Sequence, residues 1–238
     1  MSGGLILIFI VAGAFSLIGM LVSSQLKRKF KKYSKVYLQN GMSGAEIAAK
    51  MLQDNGITDV KITAARGQLT DHYNPVNKTV NLSEVVYNER NAAAAAVAAH
   101  EVGHAVQHAN AYKWIGIRSK MVPVVQFSSK ILNIANMVMF MGAAAFIFNG
   151  SAMGQNILLL LILANLVLTA FAVVTLPVEF DASKRALAWM SNNNMVTARE
   201  HDGAKDALKW AAMTYVVAAL AAIANLVVYL MMFLGNRD

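Results

Sequence analysis

Residues 131–178 read ILNIANMVMFMGAAAFIFNGSAMGQNILLLLILANLVLTAFAVVTLPV and contain no Asp, Glu, Lys or Arg. A helix crosses the hydrocarbon core of a bilayer in about 20 residues, so this stretch has room for two crossings and a short turn. Asn149, Gly150 and Asn156 punctuate its middle, and the expected spans are 131–148 and 157–176. The alternative, buried helices of a soluble protein, does not suit so long a charge-free run. A soluble domain carries roughly 25% charged residues, whereas this chain carries 14%, with 57% hydrophobic. Two further charge-free stretches, 1–26 and 210–236, are expected to hold spans at 5–22 and 211–234. The first has no basic segment ahead of it and no Ala-x-Ala site behind it, so it reads as a retained span rather than a signal peptide.

Lysine and arginine placement sets the expected orientation. Lys27, Arg28, Lys29, Lys31, Lys32 and Lys35 follow the first span directly, and Lys184, Arg185, Arg199, Lys205 and Lys209 follow the third. One four-span arrangement puts every basic residue except Arg237 on the cytoplasmic side of a bacterial inner membrane, with both termini outside. The net charge of +8 then reads as attraction to a membrane surface rather than to nucleic acid. The chain has no cysteine, which excludes disulfides and thiolate ligands and leaves His and carboxylates for any metal. The expected organisation is a transmembrane helix (1–26), a cytoplasmic α+β segment (27–121), a transmembrane hairpin (122–177), a cytoplasmic helix (178–210) and a fourth transmembrane helix with a short tail (211–238).

Within 27–121, Ser43-Gly44-Ala45-Glu46 matches a helix capping box, followed by the apolar face Ile47, Met51 and Leu52 and the stop Asn55-Gly56. Short strands are expected at 59–63, 69–73 and 78–82. Ser83-Glu84 opens a helical region, and Asn91 caps its second part, AAAAAVAAHEVGHAVQHA at 92–109. The segment is small for an independent core and is expected to rest on the spans. Its last strand offers a possible open edge, where the main chain around Val80 and Asn81 would pair with an extended peptide.

His100-Glu101-Val102-Gly103-His104 is an H-E-x-x-H sequence. Positions i and i+4 of a helix share a face, so both imidazoles reach one zinc, and Glu101 lies where it can take a proton from a metal-activated water. His108 lies two turns from His100, about 12 Å along the axis, too far for all three to share an ion. A catalytic zinc takes a third protein ligand and keeps a place for water. Glu179, just past the third span, is the leading candidate. The alternative is an interfacial Glu paired with Lys184 or Arg185. Asp181 and Ser183 follow it, and either is placed to accept from a ligand imidazole and orient it. His201 is a weaker candidate, as an oxyanion donor or simply an exposed residue at a helix start. His72 and Tyr73 either border the cleft or sit in an exposed turn.

The stretches SGAEIAAKML, LTDHYNPVNKTVNLSEVVYN, VAAHEVGHAVQHA, LPVEFDASKRAL and EHDGAKDAL resemble the YugP-type membrane zinc metallopeptidases. The layout is also similar to the HtpX-type and CaaX prenyl proteases, where an H-E-x-x-H helix precedes a membrane hairpin and a Glu-bearing helix follows. The resemblance implies a mainly α membrane protein with four transmembrane helices and a small cytoplasmic α+β zincin-like unit. It implies zinc on His100, His104 and Glu179, with Glu101 as base. Those proteases carry an Asp four residues after the ligand Glu, where this chain has Ser183. The expected activity is zinc-dependent hydrolysis of peptide bonds in unfolded or membrane-border segments. The partners would be a protein substrate and the bilayer, without nucleic acid, and any accessory membrane protein is unidentified. A catalytically idle scaffold with a structural zinc is the alternative, but a closed site takes four protein ligands. A transporter would place ionisable groups inside its spans, and these spans have none.

Overall fold

The computed structural model describes residues 3–67, 69–143 and 151–235, with side chains for 6–67, 69–141 and 151–235. Residues 144–150, where the second span was expected to end and its loop to begin, lie outside the described residues. The chain runs α1 (Gly3–Tyr33), α2 (Gly44–Asp54), β1 (Lys61–Ala65), β2 (His72–Asn74), β3 (Thr79–Ser83), α3 (Glu84–Asn88), α4 (Ala92–Ala109), α5 (Lys113–Val138, ending in a π-turn at Met139–Ala143), α6 (Ala152–Asn192) and α7 (Ala198–Gly235). Four helices are long and apolar enough to cross a membrane: α1, α5, α6 and α7. All overrun the apolar runs. The segment carrying Glu179 is not a separate helix but the continuation of α6 through Pro177, and α5 begins well before its apolar run and passes through Pro123.

The chain divides into two compact units. One comprises residues 1–21, 117–175 and 215–238. Leu158, Leu161, Ile162 and Tyr229 are buried in it, while Phe9, Phe127, Ile134, Leu163 and Met231 stand more than half exposed. Water does not tolerate an outer surface of this kind, and lipid does. Polar groups in these helices find partners at hand: Asn165 donates to the Leu161 carbonyl (2.9 Å), Thr175 to the Phe171 carbonyl (2.8 Å) and Thr169 to the Ala222 carbonyl (3.1 Å).

The other unit, residues 22–116 and 176–214, holds the sheet, α2 to α4, and the charged ends of α6 and α7. Ser43 caps α2: its hydroxyl accepts from the Glu46 amide, and the Glu46 carboxylate accepts from the Ser43 amide. Asn55 ends that helix, and Gly56 follows at φ +68°, a conformation that costs glycine nothing. Ile47, Met51 and Leu52 of α2 pack with the alanine face of α4, and Val80 and Leu82 of β3 are fully buried in the same core.

The sheet order is β1-β3-β2. β3 pairs parallel with β1 (Ile62 with Val80) and antiparallel with β2 (Tyr73 with Val80). This corrects the expectation of an open edge at Val80 and Asn81. β3 is the central strand, with ladder partners on both sides, so it has no free main-chain edge for a peptide.

Candidate metal centre

Helix α4 carries the H-E-x-x-H residues and is fixed by its own start. The Asn91 side chain accepts from the Ala94 amide (2.9 Å), satisfying one of the amide donors that a helix start leaves without a partner. The small alanine side chains then let the helix be enclosed by its neighbours. Gly103, between Glu101 and His104, sets the approach of α6. A Cβ added there would lie 2.7 Å from the Ala182 carbonyl oxygen. The two backbones meet at the one residue of the motif that has no side chain.

That approach brings three ligand groups together. His100 Nε2 lies 3.2 Å and His104 Nε2 3.6 Å from the same oxygen, Oε2 of Glu179. One ligand atom from each of the three side chains lies within 4.8 Å of the others. Zinc bonds of about 2.0–2.1 Å at tetrahedral angles put donor atoms about 3.3–3.4 Å apart, so the donor set and spacing fit zinc. His104 and Glu179 are buried, and His100 is partly so.

Each imidazole is oriented from behind. Ser183 Oγ lies 3.1 Å from His100 Nδ1. His104 Nδ1 lies 3.0 Å from Gln107 Oε1. The Gln107 amide nitrogen donates to the Val178 carbonyl and to Asp181, both at 2.8 Å. Two acceptors hold that NH₂ group, so the Gln107 oxygen faces His104 and Nδ1 is the ring nitrogen that carries hydrogen. Nε2 is left as a lone pair directed at Glu179. Asp181, one of the two residues considered for orienting a ligand, touches no imidazole; it takes Gln107 and Arg185 (2.5 Å). Burial works against a charged His104, but when protonated the ring donates from Nε2 to the Glu179 carboxylate, and this bond and the nearby Glu101 charge outweigh burial and hold its pKa above the usual 6.5.

Glu101 is buried at 8% exposure, and its Oε2 accepts from the main-chain amide of Tyr73 at 2.9 Å. The outward edge of β2 therefore faces the motif helix. His108 is not part of the ligand group and packs at a tilt against the Tyr73 ring, centroids 5.5 Å apart. His72 braces the sheet through the Thr70 carbonyl and Asn81. His201 lines an open groove with Ser183 between α6 and α7.

Gln107 was not foreseen in the sequence. Its signal was its position, one turn past His104 on the same face, and its type, the amide that accepts and donates at once. Replacing it with Met keeps the volume and removes both functions. Zinc affinity, measured by competition with a chelating dye, is expected to fall about 10–100-fold, as for other residues that orient a ligand. Unchanged affinity would reduce Gln107 to packing.

Residues 6–234 match the family described as "Putative neutral zinc metallopeptidase". The chain is also 40% identical over 215 residues to "Putative membrane protease YugP" of Bacillus subtilis (strain 168), covering 90% of this chain and 91% of that protein. No solved structure matches the chain. With both matches running through the helix of His100 and His104 and on past Glu179, the chain belongs to the neutral zinc metallopeptidase family.

Proposed function

We propose that the chain is a membrane zinc endopeptidase that cuts unfolded or membrane-border protein segments at the cytoplasmic face. The observation that carries this reading is the convergence of His100, His104 and Glu179 with Glu101 buried on the same helix. Among the described residues the ligand group has three members, the number of protein ligands that catalytic zinc sites use, where closed structural sites use four. Zinc bound there supplies Lewis acidity, polarising a scissile carbonyl and acidifying water. Glu101 accepts the proton of the attacking water and returns it to the departing amine nitrogen, so that one carboxyl serves as base and then as acid. Ser183 and Gln107 hold the orientation of the two imidazoles, and Gln107 also sets the tautomer of His104. An extended chain presents main-chain groups that a helix has already paired internally, which favours unfolded segments as substrate.

Two measurements test this reading. The purified protein should hydrolyse a fluorogenic casein, lose that activity to a chelator and regain it with zinc. A protein that holds zinc and cuts nothing would be the idle scaffold. A reporter after Asp238 should lie outside the cytoplasm and one inserted at Asn77 inside; the same side for both would remove the assigned orientation.

A further inference from the structure

The halves of α6 and α7 that follow and precede their apolar runs enclose an open groove of about 600 Å³. From α6 it is lined by Phe180, Ser183, Lys184, Leu187 and their helical repeats, and from α7 by His201, Lys205, Leu208, Lys209 and Ala212. Both sets follow the 3-and-4 spacing of a single helix face. No carboxylate is on the lining. Lys184, Lys205 and Lys209 are exposed and make no ion pair among the described residues. Of the neighbouring acids, Asp206 holds Lys29 (2.6 Å) and the Tyr33 hydroxyl (2.5 Å), Glu200 takes the amides of Gln39 and Thr197, and Asp181 takes Arg185, while Asp202 is exposed and lies off the lining. Three lysines thus line one groove with an apolar floor in which Leu208 and Ala212 are buried and Phe180 is half exposed.

The level of these residues along the helices identifies the occupant. Phe180 lies four residues past Leu176, about 6 Å along α6, and Ala212 is the second residue of the last apolar run. Lys184 lies about 12 Å beyond the end of one run, and Lys209 and Lys205 about 3 and 9 Å before the start of the other. The headgroup layer of a bilayer is about 5–8 Å deep on each side, and lysine stems span the difference. We propose that this groove binds an anionic phospholipid, its phosphate among Lys184, Lys205 and Lys209 and the first carbons of its chains on Phe180 and Ala212. Charge complementarity without a carboxylate and an apolar floor at headgroup depth are what a lipid phosphate needs; an acidic peptide would need only the first. Ser183 lines the same groove and orients His100, so the lipid would sit directly behind a ligand of the metal.

The test uses full-length protein in neutral detergent, exposed to equal amounts of phosphatidylglycerol and phosphatidylcholine, with retained lipid counted by native mass spectrometry. It reads lipid and not hydrolysis, so its failure leaves the peptidase reading untouched. Wild type should retain phosphatidylglycerol selectively. A juxtamembrane lysine strengthens anionic lipid binding roughly fivefold, so the triple change Lys184→Gln, Lys205→Gln, Lys209→Gln should weaken it about a hundredfold, and Lys→Arg at the same positions should keep it. The charge-matched control Lys27→Gln, Lys31→Gln, Lys35→Gln on α1 should retain the lipid. Equal loss in the groove and control variants would mean general surface attraction and overturn the proposal. Displacement of the lipid by inorganic phosphate, or retention of polyglutamate in place of lipid, would overturn it as well. Zinc content in each variant reports whether the fold is intact, and single Lys→Gln changes replace the triple if it does not fold.

Discussion

Replacing Glu101 with Gln is expected to leave about one zinc per chain and to slow peptide hydrolysis by roughly 10²–10⁴-fold, the usual contribution of a positioned acid–base group. The two halves of that expectation have separate causes. Zinc stays because Glu101 is not among the three side chains whose ligand atoms converge. The local structure stays because Gln has the same size and keeps an oxygen to accept the Tyr73 amide, now 2.9 Å from Glu101 Oε2. Hydrolysis slows because a carboxamide does not take a proton from water at neutral pH and has none to hand to the leaving amine. Single-turnover cleavage and metal content should be measured on the same preparation. An undiminished rate would assign the base elsewhere or expose a contaminating protease. Loss of zinc would make Glu101 a ligand and remove it from the proton path.

The sequence carried the local features and lost those that depend on distant pairing. Charge-free runs marked the apolar helices, and the capping box at Ser43 and Glu46 is formed as its spacing predicts. The strands were displaced by a residue or more, because short strands have weak local signals. The order β1-β3-β2 was not legible, since it depends on Lys61 meeting Thr79, a parallel pairing that skips the intervening β2. Read in chain order, β3 is the last strand; in space it is the middle one. Asp181 and Ser183 show the same limit at one site. On a continuous helix Ser183 stands one turn past Glu179 on its face, while Asp181 is rotated by about 200°. The choice between them required knowing that α6 runs unbroken through Pro177. Gln107 was invisible for a related reason: its meaning lies in Val178 and Asp181, on another helix far along the chain.

Replacing Glu179 with Ala should weaken zinc binding by at least about a hundredfold. Zinc sites of four protein ligands bind with about 10–16 kcal/mol at neutral pH, so one ligand carries about 3 kcal/mol. The loss should exceed that of the orienting residue Gln107, because a donor to the metal is removed rather than its alignment. Competition with a chelating dye measures it, and helicity by circular dichroism separates loss of metal from loss of fold. The pH dependence of the residual binding gives a second, independent reading. In the wild type, the carboxylates of Glu179 and Glu101 hold the His104 pKa above 6.5 against its burial, so protons compete with metal up to a higher pH and zinc uptake weakens as the pH falls through that range. Without Glu179 the strongest influence keeping His104 protonated is gone, burial favours the neutral ring, and the fall in residual zinc uptake should move to lower pH. A Glu179 variant that bound zinc as tightly as wild type, with the same pH profile, would place the third ligand elsewhere. It would leave His100 and His104 as a pair in need of another partner.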